Sequence, residues 1–308
     1  MMRTLVTGGT GFAGRHLVAT LRERGNEVTV AGHSRDGNGV DYILDLQDSE
    51  SVTELVASAR PRIIYHLAAV AFVPDAIHDP MRTYEVNTMG TARLFEAIRN
   101  VYVHQAPPRC IFISSAEVYG ARVPNEYPLR ETLTAQPITP YAASKFAGEA
   151  IALAAWRTFG IPVIVTRAFN HIGPGQSDRF AIPSFANGLA AISRGAEPVL
   201  LVGNLASKRD FLDVRDVVSA YVALADDGLE GESYNVCSGR PVSMTEILRQ
   251  LIAVANVAVD IREDSDLLRP TDNPLSYGDN TKLRAMTGWR PRFTLTQSLQ
   301  DVYAEATG

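Results

Sequence analysis

Short apolar runs alternate with longer stretches in which apolar residues recur every third or fourth position, and this rhythm organises the first half of the chain. Arg3–Thr7, Glu27–Gly32, 63–67, 110–114 and 163–167 are apolar almost throughout, as strands covered on both faces of a parallel sheet should be. Between them, 13–24, 81–100 and Pro140–Phe159 carry helical periodicity, and Ser51-x-x-Glu54 has the form of a capping box. Strand and helix in alternation predict an α/β fold with a doubly wound parallel sheet, the Rossmann arrangement. After Asn170 the rhythm breaks at Gly173-Pro174-Gly175, and shorter, less regular elements follow. A helix over 214–226 and a strand at Ser233–Val236 suit a return to the main sheet. The predicted division is therefore 1–170 plus about 209–240 for the dinucleotide-binding domain, with about 171–208 plus 241–308 forming a smaller, discontinuous C-terminal substrate-binding domain.

The first strand runs directly into Gly8-x-x-Gly11-Phe12-Ala13-Gly14, where a helix opens. Glycine allows the turn its special torsions and lets a pyrophosphate approach the backbone N–H groups of the helix start, around Phe12 and Ala13. A plain tight turn would not require strand, glycines and helix in this order. At the end of the second strand the segment Val30-Ala31-Gly32-His33-Ser34-Arg35 lacks the carboxylate that would bind a ribose 2′-hydroxyl. Ser34 and Arg35 instead offer a hydroxyl and a planar guanidinium to a 2′-phosphate, which favours NADP(H) over NAD. A solvated loop charge is the alternative for Arg35. Asp45 and Leu46 follow the third strand at the adenine end, and Leu67, Ala68 and Ala69 end the fourth strand beside the cofactor. His66 reads as a packed, hydrogen-bonded strand-end histidine without a chemical role.

Tyr141 and Lys145 stand four apart in a helix entered through Pro140, hence on one face and one turn apart. An adjacent ammonium would favour the ionised phenol and lower its pKa; a packed tyrosine with a solvated lysine is the plainer alternative. The run Ile111-Phe112-Ile113-Ser114-Ser115 ends the fifth strand, where open α/β sheets bind ligands. Ser115 at that end can face Tyr141 and hold an oxygen whose proton Tyr141 gives or takes while a nicotinamide exchanges hydride with the attached carbon. Neither a separate nucleophile nor a metal is called for.

Composition narrows this further. The net charge of −5 gives no reason to expect nucleic acid or an anionic membrane as partner. Among the basic residues only Lys145, Lys208 and Lys282 are lysines, which makes the lysine beside Tyr141 informative. Cys110 and Cys237 sit in apolar runs, which suits buried thiols in a reducing cytoplasm rather than a disulfide framework or metal site. The first residues form a strand rather than a signal segment, and no apolar run reaches membrane-spanning length.

The glycine motif, the Ser115-Ala-Glu-Val-Tyr-Gly120 run and Tyr141-x-x-x-Lys145 resemble the extended short-chain dehydrogenase/reductase family over essentially the whole chain. Phe169 to Gln176, Val202-Gly-Asn-Leu205, Arg209-Asp-Phe211, Tyr234 to Gly239 and Thr287-Gly-Trp289 are most similar to its reductases of GDP-4-keto-6-deoxy-D-mannose. The resemblance implies that Asn87 steadies the active-site backbone, that Ala116, Asn170, His171 and Val202 line the nucleotide-sugar site, and that Arg209 and Arg269 neutralise its diphosphate. It also implies a homodimer paired through helices including the Tyr141–Lys145 helix, where Ala142, Ala143, Ala147 and Ala150 allow close approach. The expected reaction is NADPH-dependent reduction of a carbon 4 ketone on a GDP-linked keto sugar, giving GDP-D-rhamnose or GDP-6-deoxy-talose. Glu117 keeps a second reading open, because related 4,6-dehydratases use a glutamate here as base; its alternative is a polar residue facing water. A cofactor-binding protein without catalysis is the third reading, against which the intact Ser115, Tyr141 and Lys145 argue.

Overall fold

A computed structural model describes residues 1–33, 39–267 and 273–308. The first half contains β1 (Arg3–Thr7), α1 (Phe12–Glu23), β2 (Glu27–Gly32), β3 (Tyr42–Ile43), α2 (Ser49–Ala59), β4 (Ile63–His66), α3 (Val73–His78), α4 (Pro80–Tyr84), α5 (Gly90–Val101), β5 (Arg109–Ser115), α6 (Pro140–Phe159) and β6 (Val163–Ala168). The second half contains β7 (Asn170–Ile172), α7 (Ala181–Ser193), β8 (Val199–Val202), β9 (Lys208–Asp213), α8 (Val214–Asp227), β10 (Ser233–Val236), β11 (Pro241–Ser243), α9 (Met244–Ala255), β12 (Asp260–Glu263), β13 (Leu275–Ser276), α10 (Thr281–Thr287) and α11 (Leu295–Thr307).

Seven parallel strands form the main sheet in the order β10-β6-β5-β4-β1-β2-β3. Successive residues bury opposite faces. Leu5, Ile64 and Phe112 belong to the core beneath α2, α5 and α6, whereas Val6, Tyr65 and Ile111 belong to the core beneath α1 and α8. That double burial is why these strands read as unbroken apolar runs. The order reverses between β1 and β4, so the chain leaves β1 toward β2 on one side and reaches β4 on the other. A crevice opens above the carboxyl ends of that pair, where doubly wound sheets take their ligands.

Two sequence expectations are corrected locally. The helix after β3 begins at Ser49, and its cap is Asp48, whose carboxylate accepts from the Glu50 amide at 2.9 Å; Ser51 lies inside it. The helix expected over 81–100 is interrupted by a π turn at Glu85–Met89 between α4 and α5. Asn87 in that turn is buried and hydrogen-bonded inward, and a π bulge is a common way to aim one functional side chain from a helix.

After β6 the chain builds a smaller layer. β7, β9, β11 and β13 form one sheet and β8 pairs with β12, while α7, α9 and α11 close a separate core around Phe185, Leu189, Leu200, Ile247, Leu251 and Leu299. Between these pieces α8 and β10 return to the main sheet, β10 pairing with β6. Asp210 on β9 fixes the crossing. Its buried carboxylate accepts from the Ser238 amide at 2.8 Å, the Ser238 hydroxyl at 2.6 Å, the Gly239 amide at 2.9 Å and the Gly278 amide at 3.3 Å. Asp210→Ala strands these donors in a dry site at about 1–3 kcal/mol for each one left unpaired. The expected result is a urea unfolding midpoint well below that of the parent chain; an unchanged midpoint would show that water replaces the carboxylate.

Candidate active site

The Thr7-to-Gly14 turn crosses the mouth of the crevice. Gly8 has φ +70°, and a side chain there would place Cβ 2.7 Å from the Ala68 amide nitrogen, so β1 and β4 approach this closely only through glycine. Gly11 stands at the N-cap of α1 without a side-chain hydrogen bond, and the first turn carries no acidic residue. The amides of Phe12 and Ala13 thus begin the helix without a capping side chain, an arrangement that fits an anionic group. Leu67, Ala68 and Ala69 border the turn, the Ala68 amide donating to the Thr7 hydroxyl at 3.3 Å. Asp45 is exposed, and its carboxylate accepts from the Gln47 amide at 2.8 Å; Leu46 is buried against Gly90. Ser34 and Arg35 lie outside the described residues, as does Arg269.

His66 lies beneath the turn, fully enclosed. Its Nδ1 is 2.8 Å from the Thr7 hydroxyl and its Nε2 3.3 Å from that of Thr91. Thr91 donates its own proton to the Asn87 carbonyl at 2.6 Å, so Nε2 carries the ring proton and Nδ1 accepts from Thr7. Burial, with the Lys145 charge nearby, pushes the imidazole pKa down to about 3. The residue is a neutral structural hydrogen-bonding centre.

Ser115 ends β5 and caps the short 3₁₀ turn Ala116–Tyr119, its hydroxyl accepting from the Glu117 amide at 3.2 Å. Tyr141 and Lys145 occupy the first turns of α6, which opens with Thr139 accepting from the Ala142 amide at 3.1 Å and Pro140 at the first helical position. Helix and sheet meet closely at Gly148, where a Cβ would fall 2.5 Å from the Phe112 ring. The structure thus brings Ser115, Glu117, Tyr141 and Lys145 to one strand end.

The electrostatics differ from the simple expectation that Lys145 lowers the Tyr141 pKa. Burial pushes the phenol up to about 12, a hydrogen bond with Ser115 works against that rise, and the Glu117 carboxylate adds to it. The Lys145 ammonium donates to the Ile113 carbonyl at 2.8 Å and lies 5.6 Å from the Phe112 ring centre. Its own pKa is pushed down to about 8 by burial, with the Glu149 carboxylate resisting. Tyr141 is therefore a proton-bearing group at neutral pH, held by a hydroxyl partner.

Asn87 braces this site from the π turn. Its Oδ1 accepts from the Val70 amide at 2.7 Å, and its Nδ2 donates to the Val70 carbonyl at 3.1 Å and to the Ser144 hydroxyl at 2.9 Å. Ser144 passes the constraint on, donating to the Tyr141 carbonyl at 2.7 Å.

The remaining expected substrate-site residues are distributed more widely. Ala116 is buried beside Ser115 in the 3₁₀ turn. Asn170 is exposed on β7, and His171 stacks on Phe12 with ring centres 5.7 Å apart and planes 8° apart. Burial lowers the His171 pKa, and its Nδ1 lies 3.1 Å from the Phe169 carbonyl. The turn that follows is tied to α1 as well, by Arg15 donating to the Gly175 carbonyl at 2.7 Å and by His16 Nε2 at 2.8 Å from the Pro174 carbonyl. Arg209 sits on β9, donating to the Lys208 carbonyl at 3.0 Å, with its charge bearing on Tyr127. Val202 is buried in the core of the smaller layer. Sequence reasoning passed over a buried group beneath the site: Glu149, Arg167, Tyr119 and Asn235 are all linked there by hydrogen bonds. The signal was present, since Glu149 continues the Tyr141–Lys145 spacing by one further turn.

A glycine-lined switch-point crevice beside a serine, tyrosine and lysine at one strand end defines a dinucleotide-dependent short-chain dehydrogenase/reductase. Within that class the chain belongs to the GDP-mannose 4,6 dehydratase family, whose model matches residues 5–302. It is 36% identical to the GDP-6-deoxy-D-mannose reductase of Pseudomonas aeruginosa over 98% of this chain and 96% of that protein. It is 33% identical to the GDP-6-deoxy-D-talose 4-dehydrogenase of Aggregatibacter actinomycetemcomitans over 98% of this chain and 97% of that one. The structure of RMD from Pseudomonas aeruginosa, complexed with NADPH, superposes with a TM-score of 0.90 at 36% identity, covering 100% of this chain and 99% of the other.

Asn87→Ala removes both bonds to Val70 and the link to Ser144. The Val70 amide is expected to exchange with deuterium at least tenfold faster, with strand amides such as that of Leu5 unaffected; equal protection at Val70 in the variant would refute the brace.

Proposed function

We propose that this protein reduces the carbon 4 ketone of a GDP-linked 4-keto-6-deoxy sugar with NADPH, giving GDP-D-rhamnose or GDP-6-deoxy-talose. The observation that carries this reading is the meeting of Ser115, Tyr141 and Lys145 at the carboxyl end of β5 beside the glycine turn, with Ser115 hydrogen-bonded to Tyr141. NADPH supplies the hydride when bound, and the uncapped start of α1 at Gly11, Phe12 and Ala13 fits its pyrophosphate. Ser115 orients the ketone oxygen, and Tyr141 protonates it as negative charge develops. Lys145 contributes positive charge on the same side and a hydrogen-bonding contact for the cofactor ribose. Ser34 and Arg35 are assigned to its 2′-phosphate; Asp45, Leu46, Leu67, Ala68 and Ala69 to its adenine end and flank. Asn170, His171, Arg209 and Arg269 are assigned to the GDP-sugar. The buried side chain of Val202 confines that residue to supporting the substrate wall.

One observation favours a second reading. Glu117 lies near enough to Tyr141 for its charge to raise the phenol, so a 4,6-dehydratase or epimerase using Glu117 as base is the competing activity. NADPH absorbance with a GDP-linked 4-keto-6-deoxy sugar, set beside product analysis of GDP-mannose incubated with oxidised cofactor, separates the two, because a reductase consumes NADPH with the keto sugar whereas a dehydratase or epimerase converts the hydroxyl sugar with no net change in cofactor. Tyr141→Phe is expected to lower kcat for the GDP-linked ketone about 10²–10⁴-fold with NADPH affinity within a few-fold of the parent. Undiminished kcat would remove Tyr141 from the proton-transfer role. Turnover should also decline as pH rises through about 8, where Lys145 loses its charge.

The division into lobes is read as 1–170 with 214–240 in the cofactor lobe, β9 being assigned to the smaller sheet. No helix among the described residues is long and apolar enough to cross a membrane; a cytoplasmic location is the reading consistent with the free, buried Cys110 and Cys237. Ala142 is enclosed in the chain's own core, but Ala150 and Phe146 on α6 are exposed, as is Met89 on the π turn that packs against that helix. This stripe is the proposed homodimer face. Phe146→Glu should halve the mass found by light scattering; an unchanged mass would exclude that face.

A further inference from the structure

Beneath the reacting groups lies an ion pair that the proposed chemistry leaves unused. Glu149 is 2% exposed and Arg167 7%. The guanidinium donates from Nε to Oε1 at 3.0 Å and from Nη2 to Oε2 at 2.8 Å, the forked geometry in which arginine holds a carboxylate most firmly. Burying two charges is costly, and apolar residues of similar size would often serve stability as well or better. Such a pair invites the question of what else it does.

Its neighbours supply the answer. Glu149 stands one helical turn beyond Lys145 on α6, as Lys145 stands one turn beyond Tyr141, so all three share a face. Arg167 lies on β6 opposite Ser114, the residue before Ser115. From there its Nη1 donates to the Tyr119 hydroxyl at 3.1 Å and to the Glu131 carbonyl at 3.3 Å. Tyr119 ends the 3₁₀ turn that begins after Ser115 and contains Glu117, and its hydroxyl donates to Asn235 Oδ1 at 2.7 Å. Asn235, on β10, donates in turn to the Leu129 carbonyl at 2.9 Å, and its amide donates to Glu131 at 2.8 Å. One continuous buried network therefore joins the helix of Tyr141 and Lys145 to the turn of Ser115 and Glu117.

We propose that Glu149 and Arg167 are positioning residues, Glu149 supplying the buried counter-charge for Lys145 and Arg167 locking the Ser115–Tyr119 turn against α6. The assignment rests on Lys145 acting as the cationic partner in the site, as argued above. Among the described residues, few ionisable groups bear on Lys145. Glu149, on its own helix, is the charged group that bears on Lys145, and Lys145 bears in turn on His66 of β4, which is neutral. The π turn and α5 present Asn87, Thr88 and Thr91, which carry no charge. Glu149 is thus the anion nearest in the helix. Its removal leaves the burial of Lys145 unopposed, and burial favours the neutral amine.

Because the chain has only three lysines, Lys145, Lys208 and Lys282, ¹³C-labelled lysine gives a spectrum in which the Lys145 side chain can be assigned with Lys145→Arg and titrated directly. This readout needs no substrate, so it stands even if the reductase reading fails. In the parent chain the Lys145 midpoint is expected near pH 8, and in Glu149→Gln it should fall by about one unit or more, a tenfold loss of proton affinity. Because Glu149→Gln leaves Arg167 buried without its partner and is prone to misfold, the double variant Glu149→Leu with Arg167→Met provides the control. It removes both charges, is expected to fold, and should still show a lowered midpoint. Tyr119→Phe should leave the midpoint in place while lowering kcat severalfold at unchanged KM. A Lys145 midpoint unmoved in both Glu149 variants, or a Tyr119→Phe enzyme with the parent kcat, would reduce the network to ordinary core structure.

Discussion

The contact of Gly8 with the backbone of Ala68 governs the site. β1 and β4 part here, and the chain has to cross their gap without filling it. Only a residue lacking a side chain and able to hold φ +70° satisfies both demands, with the Ala68 nitrogen 2.7 Å from where a Cβ would stand. Once that turn is made, α1 begins with its first amides facing the crevice, and Thr7 comes to rest between His66 and Ala68. The second half of the chain is gathered onto the same point, since His171, Pro174 and Gly175 dock on Phe12, His16 and Arg15 of that helix. One close backbone approach therefore sets where both halves meet.

The chemistry depends on how charge is managed in the dry space beside this turn. His66 is held neutral, Tyr141 is held protonated, and Lys145 is left near its transition. These three conditions arise from the same burial acting on groups of different type, because burial always disfavours the charged form. What differs is the local relief. His66 has two hydroxyls, Tyr141 has Ser115, and Lys145 has the Ile113 carbonyl and the carboxylate one turn along its helix. A phenol beside a hydroxyl and a cation is an arrangement in which a proton can be exchanged with a carbonyl or hydroxyl oxygen.

Much of this was legible in the sequence, for reasons that are themselves physical. β1, β2 and β10 fall where period and composition put them, because strands buried on both faces leave little freedom in residue type. The spacing of Tyr141 and Lys145 is a property of the helix alone. Less visible were features set by tertiary context. The π turn at Glu85–Met89 is dictated by Asn87 reaching Val70 and Ser144, residues remote in sequence. Asp48 rather than Ser51 caps α2, since Ser, Thr and Asp compete for that place and only chain geometry decides. The sign of the Tyr141 shift is not legible in the sequence, because spacing reports proximity to Lys145 but not burial, and burial prevails. Glu149 was passed over although its spacing was plain, its partner Arg167 being supplied by another strand.

In the proposed reaction, hydride passes from NADPH to carbon 4 of the GDP-linked sugar and stays there. The most direct measurement uses NADPH carrying deuterium at nicotinamide carbon 4, in separate preparations of each face, with GDP-4-keto-6-deoxy-D-mannose and NMR of the isolated product. One deuterium is expected at sugar carbon 4 from one of the two labelled faces, with one NADPH oxidised for each sugar reduced. A product without deuterium from either face, or sugar turnover with the cofactor returned unchanged, would contradict it.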